Sequence, residues 1–316
     1  MATVLITGGA GFIGRHCARH FLKNEWEVKV FDLQALGEHD ELVQDGCIGL
    51  VGDVRSKEAL RQAMEGCDAV VHLAALVSVP RSIKEPQLTM EINVKGTRNV
   101  LECASKLSVK HTIVASSAAV YGEHTTLPLD EGVPVEFLSP YGESKAINEE
   151  DVMLFRERGL NTLALRFFNV YGPGQRQDSA YASLIPRFVN AMVSNISPTI
   201  FGDGTQTRDF VHVDDLARAI CALLSLETPF EHAVVNVATQ TQTSVLELIE
   251  VINQHLVQIE GREIIVPLIS QPRKGDILHS LGSNSRLCRM IDWEPEIQFE
   301  DGIIALLKGY KGLEQT

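Results

Sequence analysis

Residues 3–14 read TVLITGGAGFIG. The first five are β-branched or leucine-like and read as a buried strand, while residues 13–24 carry helical spacing. Between them, Gly8, Gly11 and Gly14 permit a tight turn, a close backbone approach and close packing of helix on strand. A helix that starts there turns N–H groups and a partial positive charge toward a pyrophosphate. Phe12 and Ile13 belong to this loop. Asp32 ends the next strand, where a carboxylate binds a ribose 2′-hydroxyl. It repels a 2′-phosphate, and Leu33 and Gln34 supply no arginine, so the expected cofactor is NAD rather than NADP. Gly52-Asp53-Val54 ends the third strand, where an adenine would lie; the other reading of Asp53 is a cap for the helix that follows.

The pattern outward from this loop alternates short apolar runs with amphipathic stretches, as in a parallel sheet wrapped by helices. Residues 3–7, 28–32, 47–51, 69–74, 111–116 and 162–167 read as strands buried on both faces. Residues 13–24, 56–65, 84–106 and 141–158 read as helices, and 213–226 with 233–239 as one more helix and strand. Residues 169–208 are rich in Gly, Pro, Asn and Ser, and 243–316 hold two or three helices and an IIVPLI strand. The expected fold class is therefore α/β: a Rossmann-type doubly wound parallel sheet with a smaller α/β substrate-binding domain. The division runs 1–168 plus 209–240 for the dinucleotide domain, and 169–208 plus 241–316 for the second.

At 316 residues the chain is long enough for one large domain or two fused ones, and 45% hydrophobic with 22% charged residues describes an ordinary globular protein. A net charge of −13 argues against nucleic acid or an anionic membrane as partner. No apolar run has the length of a membrane helix, and Met1 leads straight into a strand without a signal-peptide pattern, so the expected address is the cytoplasm. Cys17, Cys47, Cys67, Cys103, Cys221 and Cys288 lie far apart, with no CxxC and no Cys/His cluster at ligand spacing. They read as buried free thiols, and no metal is expected.

Two stretches carry chemistry. In SPYGESKAINEE (139–150), Lys145 sits four residues after Tyr141 on one helical face. An ammonium beside a phenol lowers its pKa, and a nearby nicotinium would lower it further. The phenolate then accepts a proton from a substrate hydroxyl while hydride leaves the same carbon. In KHTIVASSAAVYGE (110–123), a strand ends in Ser116-Ser117, and topology places the Ser117 hydroxyl to hold that substrate oxygen.

The chain resembles the extended short-chain dehydrogenase/reductases of the NAD-dependent epimerase/dehydratase family, and most closely the UDP-sugar 4-epimerases. The resemblance rests on TGGAGFIG (7–14), GDV (52–54), HLAA (72–75), NVKGT (93–97), SSAAVYG (116–122), YGESK (141–145), LRFFNVYGP (165–173), GDGTQTRDFVHVDD (202–215) and PRKGDI (272–277). It implies a catalytic set of Tyr141, Lys145 and Ser117. It implies cofactor contacts from Gly8, Gly11, Phe12, Ile13, Asp32, Asp53, Val54, Leu73, Ala74, Ala75, Asn93, Tyr141, Lys145 and Phe167. Substrate contacts would come from Ser78, Ser117, Tyr141, Asn169, Arg208, Arg273, Asp276 and Ser280. Asn169 and Arg208 would meet the diphosphate, although Arg208 precedes Asp209 and could equally be an ion-pair partner. Arg273 and Asp276 would reach the phosphate and uridine ribose, and Gln206 with the FGDG turn would close over the uracil. Ser280 stands at a gate where tyrosine admits plain hexoses and smaller residues leave room for a 2-acetamido group. His212 and Asp214-Asp215 read as a strand end and a helix cap. The resemblance further implies a homodimer built from 84–106 and 145–158.

Ala118 and Ala119 then become informative. Relatives that eliminate water carry an Asp–Glu pair there, one group to take a proton and one to protonate the departing hydroxyl, and decarboxylating relatives keep a glutamate. A methyl group moves no proton. Tyr141, Lys145, Ser117 and NAD suffice for oxidising a 4-hydroxyl and returning the hydride, which is 4-epimerisation of a UDP-hexose. The alternatives are a dehydratase, a decarboxylase or a 4-keto reductase, and, outside enzymes, a dinucleotide-sensing regulator.

Overall fold

The computed structural model describes residues 1–175, 184–272 and 277–309. Strands β1 (Thr3–Thr7), β2 (Glu27–Asp32), β3 (Ile48–Val51), β4 (Ala69–His72), β5 (His111–Ser117), β6 (Thr162–Phe167) and a seventh, Val234–Val237, form one sheet. From edge to edge the order is Val234–Val237, β6, β5, β4, β1, β2, β3, with every pairing parallel. The winding reverses between β1 and β4, whose ends pair Thr7 with His72, and a doubly wound sheet binds ligands in the crevice above that point. β1, β4 and β6 are buried along their whole length, because helices cover both faces.

One face packs Phe21 of helix Phe12–Lys23 with Ile220 and Leu223 of helix Val213–Leu224 and with Trp293. The other packs Leu60, Met64, Val100, Leu101, Val152 and Phe155. A third apolar cluster joins helices Leu184–Val193, Val245–Glu260 and Phe299–Lys308 around Phe188, Ile252 and Ile303.

The continuous helix expected over 84–106 is broken instead. Helices Val79–Lys84 and Pro86–Thr89 are separate, a π-helical turn spans Met90–Lys95, and an α-helix resumes at Gly96–Lys106. Pro86 lacks an N–H and so begins a new helix at its first turn. The IIVPLI strand forms only at Leu268–Ser270, after Pro267. Five of the six cysteines are buried free thiols and Cys288 is half-buried. Among the described residues, no helix is long and apolar enough to cross a membrane.

Asp209 ties three segments to the sheet. Fully buried, its carboxylate accepts from Thr239 N and Oγ1 (both 2.8 Å), Gln240 N (3.1 Å) and Gly282 N (3.1 Å). Asp209→Ala strands these donors in the interior and is expected to lower stability by about 3 kcal/mol or more in chemical denaturation, with Asp209→Asn recovering part of it.

Candidate active site

The glycine loop is shaped for close approach. Gly8 has φ +70°, and a Cβ there would lie 2.7 Å from Ala74 N; one on Gly14 would lie 2.5 Å from Gly8 O and from Gly9 Cα. Helix Phe12–Lys23 starts at Gly11 without a side-chain cap, so the first-turn N–H groups of Phe12 and Ile13 are left for a ligand. Asp32 is oriented by Ala10 N and Gln34 N, each at 3.1 Å. Opposite, Leu73 N donates to Thr7 O (3.0 Å), which sets the backbone of Leu73, Ala74 and Ala75 beside Gly8. A turn that admits no Cβ, orphan N–H donors and an aligned carboxylate fit a dinucleotide. Asp53 does not cap the following helix; Ser56 does, through Ala59 N. Asp53 instead grips the Arg55 guanidinium at 2.6 to 3.1 Å, which holds its carboxyl below the usual range. Val54 is buried against Gly96, and Phe167 lies beside Ser117 in register at the strand ends.

Helix Pro140–Glu157 begins with Ser139 as cap, its Oγ accepting from Gly142 N at 3.1 Å, and Pro140 at its first position. Tyr141 N donates to Ser82 Oγ at 3.2 Å, and the Ser117 hydroxyl, at the facing strand end, acts to lower the Tyr141 phenol. Lys145 Nζ donates to Ala115 O at 2.7 Å and lies 5.8 Å from the Tyr141 ring centre. Burial lowers the Lys145 ammonium to about 8, opposed by Glu149. The sequence reading has the ammonium lowering the phenol; in the protein alone burial wins and raises Tyr141, with Ser117 pulling the other way.

Ala118 and Ala119 form a 3-10 turn, Ala118–Val120, capped by Ser117 Oγ accepting from Ala119 N at 3.2 Å. The Ala119 carbonyl presses on Gly142, where a Cβ would come within 2.7 Å.

Asn93 is buried between the end of β4 and the Tyr141 helix. Its amide is spent on Leu76 N (2.8 Å), Leu76 O (3.1 Å) and Ser144 Oγ (3.0 Å), tying the end of β4 to the Tyr141 helix. His72 joins the same scaffold: Nδ1 meets Thr7 Oγ1 at 2.6 Å and Nε2 meets Thr97 Oγ1 at 2.9 Å. Thr97 donates onward to Asn93 O (2.5 Å), so it accepts from His72 Nε2–H, and Nδ1 accepts from Thr7. Burial, with Lys145 nearby, lowers His72 to about 3 and keeps it neutral.

On the substrate side, Asn169 is exposed at the start of strand Asn169–Tyr171, which pairs with Phe210–His212. Arg208 lies in the adjoining strand Thr207–Arg208, with Nη1 on Thr207 O at 2.8 Å. Ser280 is buried beside it, its N–H on Thr207 O at 3.2 Å. Asp209 spends both carboxylate oxygens on the four donors named above. Gln206 Nε2 donates to Phe201 O (2.9 Å) inside the FGDG turn. Ser78 caps helix Val79–Lys84 by accepting from Arg81 N at 3.2 Å. His212 ends strand Phe210–His212 as expected, but the cap of helix Val213–Leu224 is His212 itself, accepting from Asp214 N, and not Asp214-Asp215. Arg273 and Asp276 lie outside the described residues.

The sequence reading passed over Glu149, Arg166, Ser116, Ser82 and His72. Glu149 had a signal, one helical turn beyond Lys145 on the same face. Its partner Arg166 comes from a strand, and nothing local in the sequence announces that contact.

A family model described as the NAD dependent epimerase/dehydratase family matches residues 4–238. A putative UDP-glucose 4-epimerase of Methanocaldococcus jannaschii is 36% identical over 317 residues, covering 99% of this chain and 100% of that protein. The solved UDP-N-acetylglucosamine 4-epimerase of Methanobrevibacter ruminantium, in complex with UDP-N-acetylmuramic acid, superposes with a TM-score of 0.88 at 33% identity, covering 97% of each chain. The UDP-glucose 4-epimerase of Thermus thermophilus, in complex with NAD, gives 0.84 at 30%, covering 98% and 99%. Other chemistries lie at similar distance. A UDP-N-acetyl-alpha-D-glucosaminuronate decarboxylase of Bacillus cytotoxicus is 30% identical over 98% of both chains. The NDP-hexosamine 5,6-dehydratase TunA of tunicamycin biosynthesis superposes at 0.83 with 31% identity, covering 98% and 97%. With the glycine loop, Asp32 and the Tyr141–Lys145 pair in place, the chain belongs to the NAD-dependent epimerase/dehydratase family and is an enzyme whose cofactor is NAD.

Proposed function

We propose that the enzyme is a UDP-hexose 4-epimerase. The observation that carries this reading is the pair of methyl groups at Ala118 and Ala119, next to Ser117 and beside Tyr141 and a buried Lys145. Ser117 and Tyr141 hold the substrate's 4-hydroxyl, and the Tyr141 phenolate takes its proton. NAD, when bound at the glycine loop, would supply the acceptor for the carbon 4 hydride, and the 4-keto sugar must turn its opposite face before that hydride returns, so that carbon 4 is inverted. Tyr141 then returns the proton to the new 4-hydroxyl, so nothing is consumed. Dehydration and decarboxylation, represented among the relatives, need an acid or base where this chain offers methyl groups.

Asn169 and Arg208 serve the diphosphate in this reading, with Arg273 and Asp276 contributing from the PRKGD segment. Residues 169–208 and 241–316 make up the sugar-nucleotide domain, and 1–168 with 209–240 the NAD domain. Ser280, small and beside Arg208, leaves room for a 2-acetamido group, so UDP-GlcNAc and UDP-GalNAc are substrates alongside UDP-Glc and UDP-Gal. A homodimer formed through 84–106 and 145–158 accompanies it; Met153 and Leu154, 45% and 40% exposed on a helix face, support that interface. Light scattering of the wild type should give twice the chain mass, and Met153→Glu with Leu154→Glu should give the monomer.

Incubated without added cofactor, the purified protein should convert UDP-GlcNAc and UDP-Glc to their 4-epimers, read by proton NMR of the anomeric region. A product lacking water, or none until NAD(P)H is supplied, would sink the reading. Tyr141→Phe should lower kcat about 10³-fold, the scale of a lost proton-transfer group. Lys145 is charged below its lowered pKa of about 8, so kcat should hold at neutral pH and fall as pH rises through about 8. Lys145→Met should abolish that alkaline limb.

A further inference from the structure

Three consecutive residues at the end of β5 each hold one member of the helix above. Ala115 O takes Lys145 Nζ (2.7 Å), Ser116 Oγ donates to Glu149 Oε1 (2.5 Å), and the Ser117 hydroxyl acts to lower the Tyr141 phenol. Glu149 is clamped from β6 as well: Arg166 Nε and Nη2 reach its two oxygens at 2.8 and 2.7 Å. Lys145, Glu149 and Arg166 are 3%, 3% and 4% exposed, so their charges interact with little solvent screening. Arg166 lies 4.6 Å over the Tyr121 ring, and Tyr121 in turn donates to Asn236 Oδ1 at 2.7 Å.

We infer that Glu149, fixed by Arg166 and Ser116, is the positioning residue that keeps the Lys145 ammonium charged beneath Tyr141. The groups around Lys145 leave this role to Glu149. Its own helix contributes the phenol of Tyr141 and the carboxylate of Glu149. β4 contributes His72, which is neutral; β5 contributes a carbonyl and hydroxyls; Asn93 and Thr97 are uncharged. Arg166, the remaining charge, is held on both Glu149 oxygens, and of the pair it is Glu149 whose charge acts on Lys145. Glu149 is the charge that opposes desolvation of Lys145. A buried ion pair stabilises a fold little better than apolar residues of the same volume, so stability alone does not account for one beside a lysine.

The inference rests on Tyr141 and Lys145 as the proton-transfer pair. An active Tyr141→Phe variant would fault that pair; the outcomes below fault the role of Glu149 alone. Glu149→Gln should move the alkaline limb of kcat down by about one pH unit, with KM little changed. Ser116→Ala, which removes a hydrogen bond but leaves the carboxylate charge, should keep the limb in place. Glu149→Leu combined with Arg166→Met leaves no orphan charge, and it too should show the lowered limb. An unmoved limb in either Glu149 variant overturns the inference. A shift confined to Glu149→Gln does so as well, because it would report the stranded Arg166 instead.

Discussion

The junction of strand β5 with helix Pro140–Glu157 is the contact on which the site depends. A strand end fixes its carbonyl and side-chain directions without help from loops, and a helix capped at Ser139 and Pro140 presents Tyr141, Lys145 and Glu149 at one-turn intervals. Joining the two at Ala115, Ser116 and Ser117 sets phenol, ammonium and hydroxyl in one step. Burying Lys145 pulls its pKa toward neutrality, and burying Tyr141 pushes the phenol upward, so desolvation alone would switch off both partners. Ser117 and Glu149 are the local forces acting against it.

Chemistry at this junction is decided partly by subtraction. The Ala118–Val120 turn lies where the strand leaves the sheet, packed on the start of the catalytic helix. In the proposed reading, methyl groups here leave proton traffic to Tyr141, as a reaction that restores its own cofactor allows.

Much of the fold was legible because strands buried on both faces are nearly continuous in apolar character. β1 and β6 fall where the sequence puts them, and the other sheet strands differ at their ends by a residue or two. The segment 84–106 reads as one helix because periodicity does not register a proline start or a widened turn; Pro86 and the turn at Met90–Lys95 reset the helix phase. The candidate site was legible where motifs are local, as in the glycine loop, Asp32 and the Tyr141–Lys145 pair. It was not legible where a side chain's partner lies on another strand. Asn93 lies in a local motif, yet nothing local announces that its amide also ties Leu76 to Ser144. Arg208 and Asp209 are neighbours in sequence, yet Asp209 is consumed by donors from residues 239, 240 and 282.

That use of Asp209 bears on how substrate binding reaches the reacting carbon. Arg208 precedes it, Phe210 follows it into a strand paired with Asn169–Tyr171, and that strand continues from the end of β6 through Phe168. Ser280 hangs from Thr207 on the same frame. The residues proposed to grip the nucleotide are therefore connected, through one buried carboxylate and a parallel pair, to the strand beside Ser117. A sugar held by its diphosphate swings about that anchor, and its carbon 4 meets Tyr141 productively only if anchor and base keep a fixed separation. A rigid buried staple maintains that separation, where an exposed Arg208–Asp209 ion pair would have left the anchor free to drift.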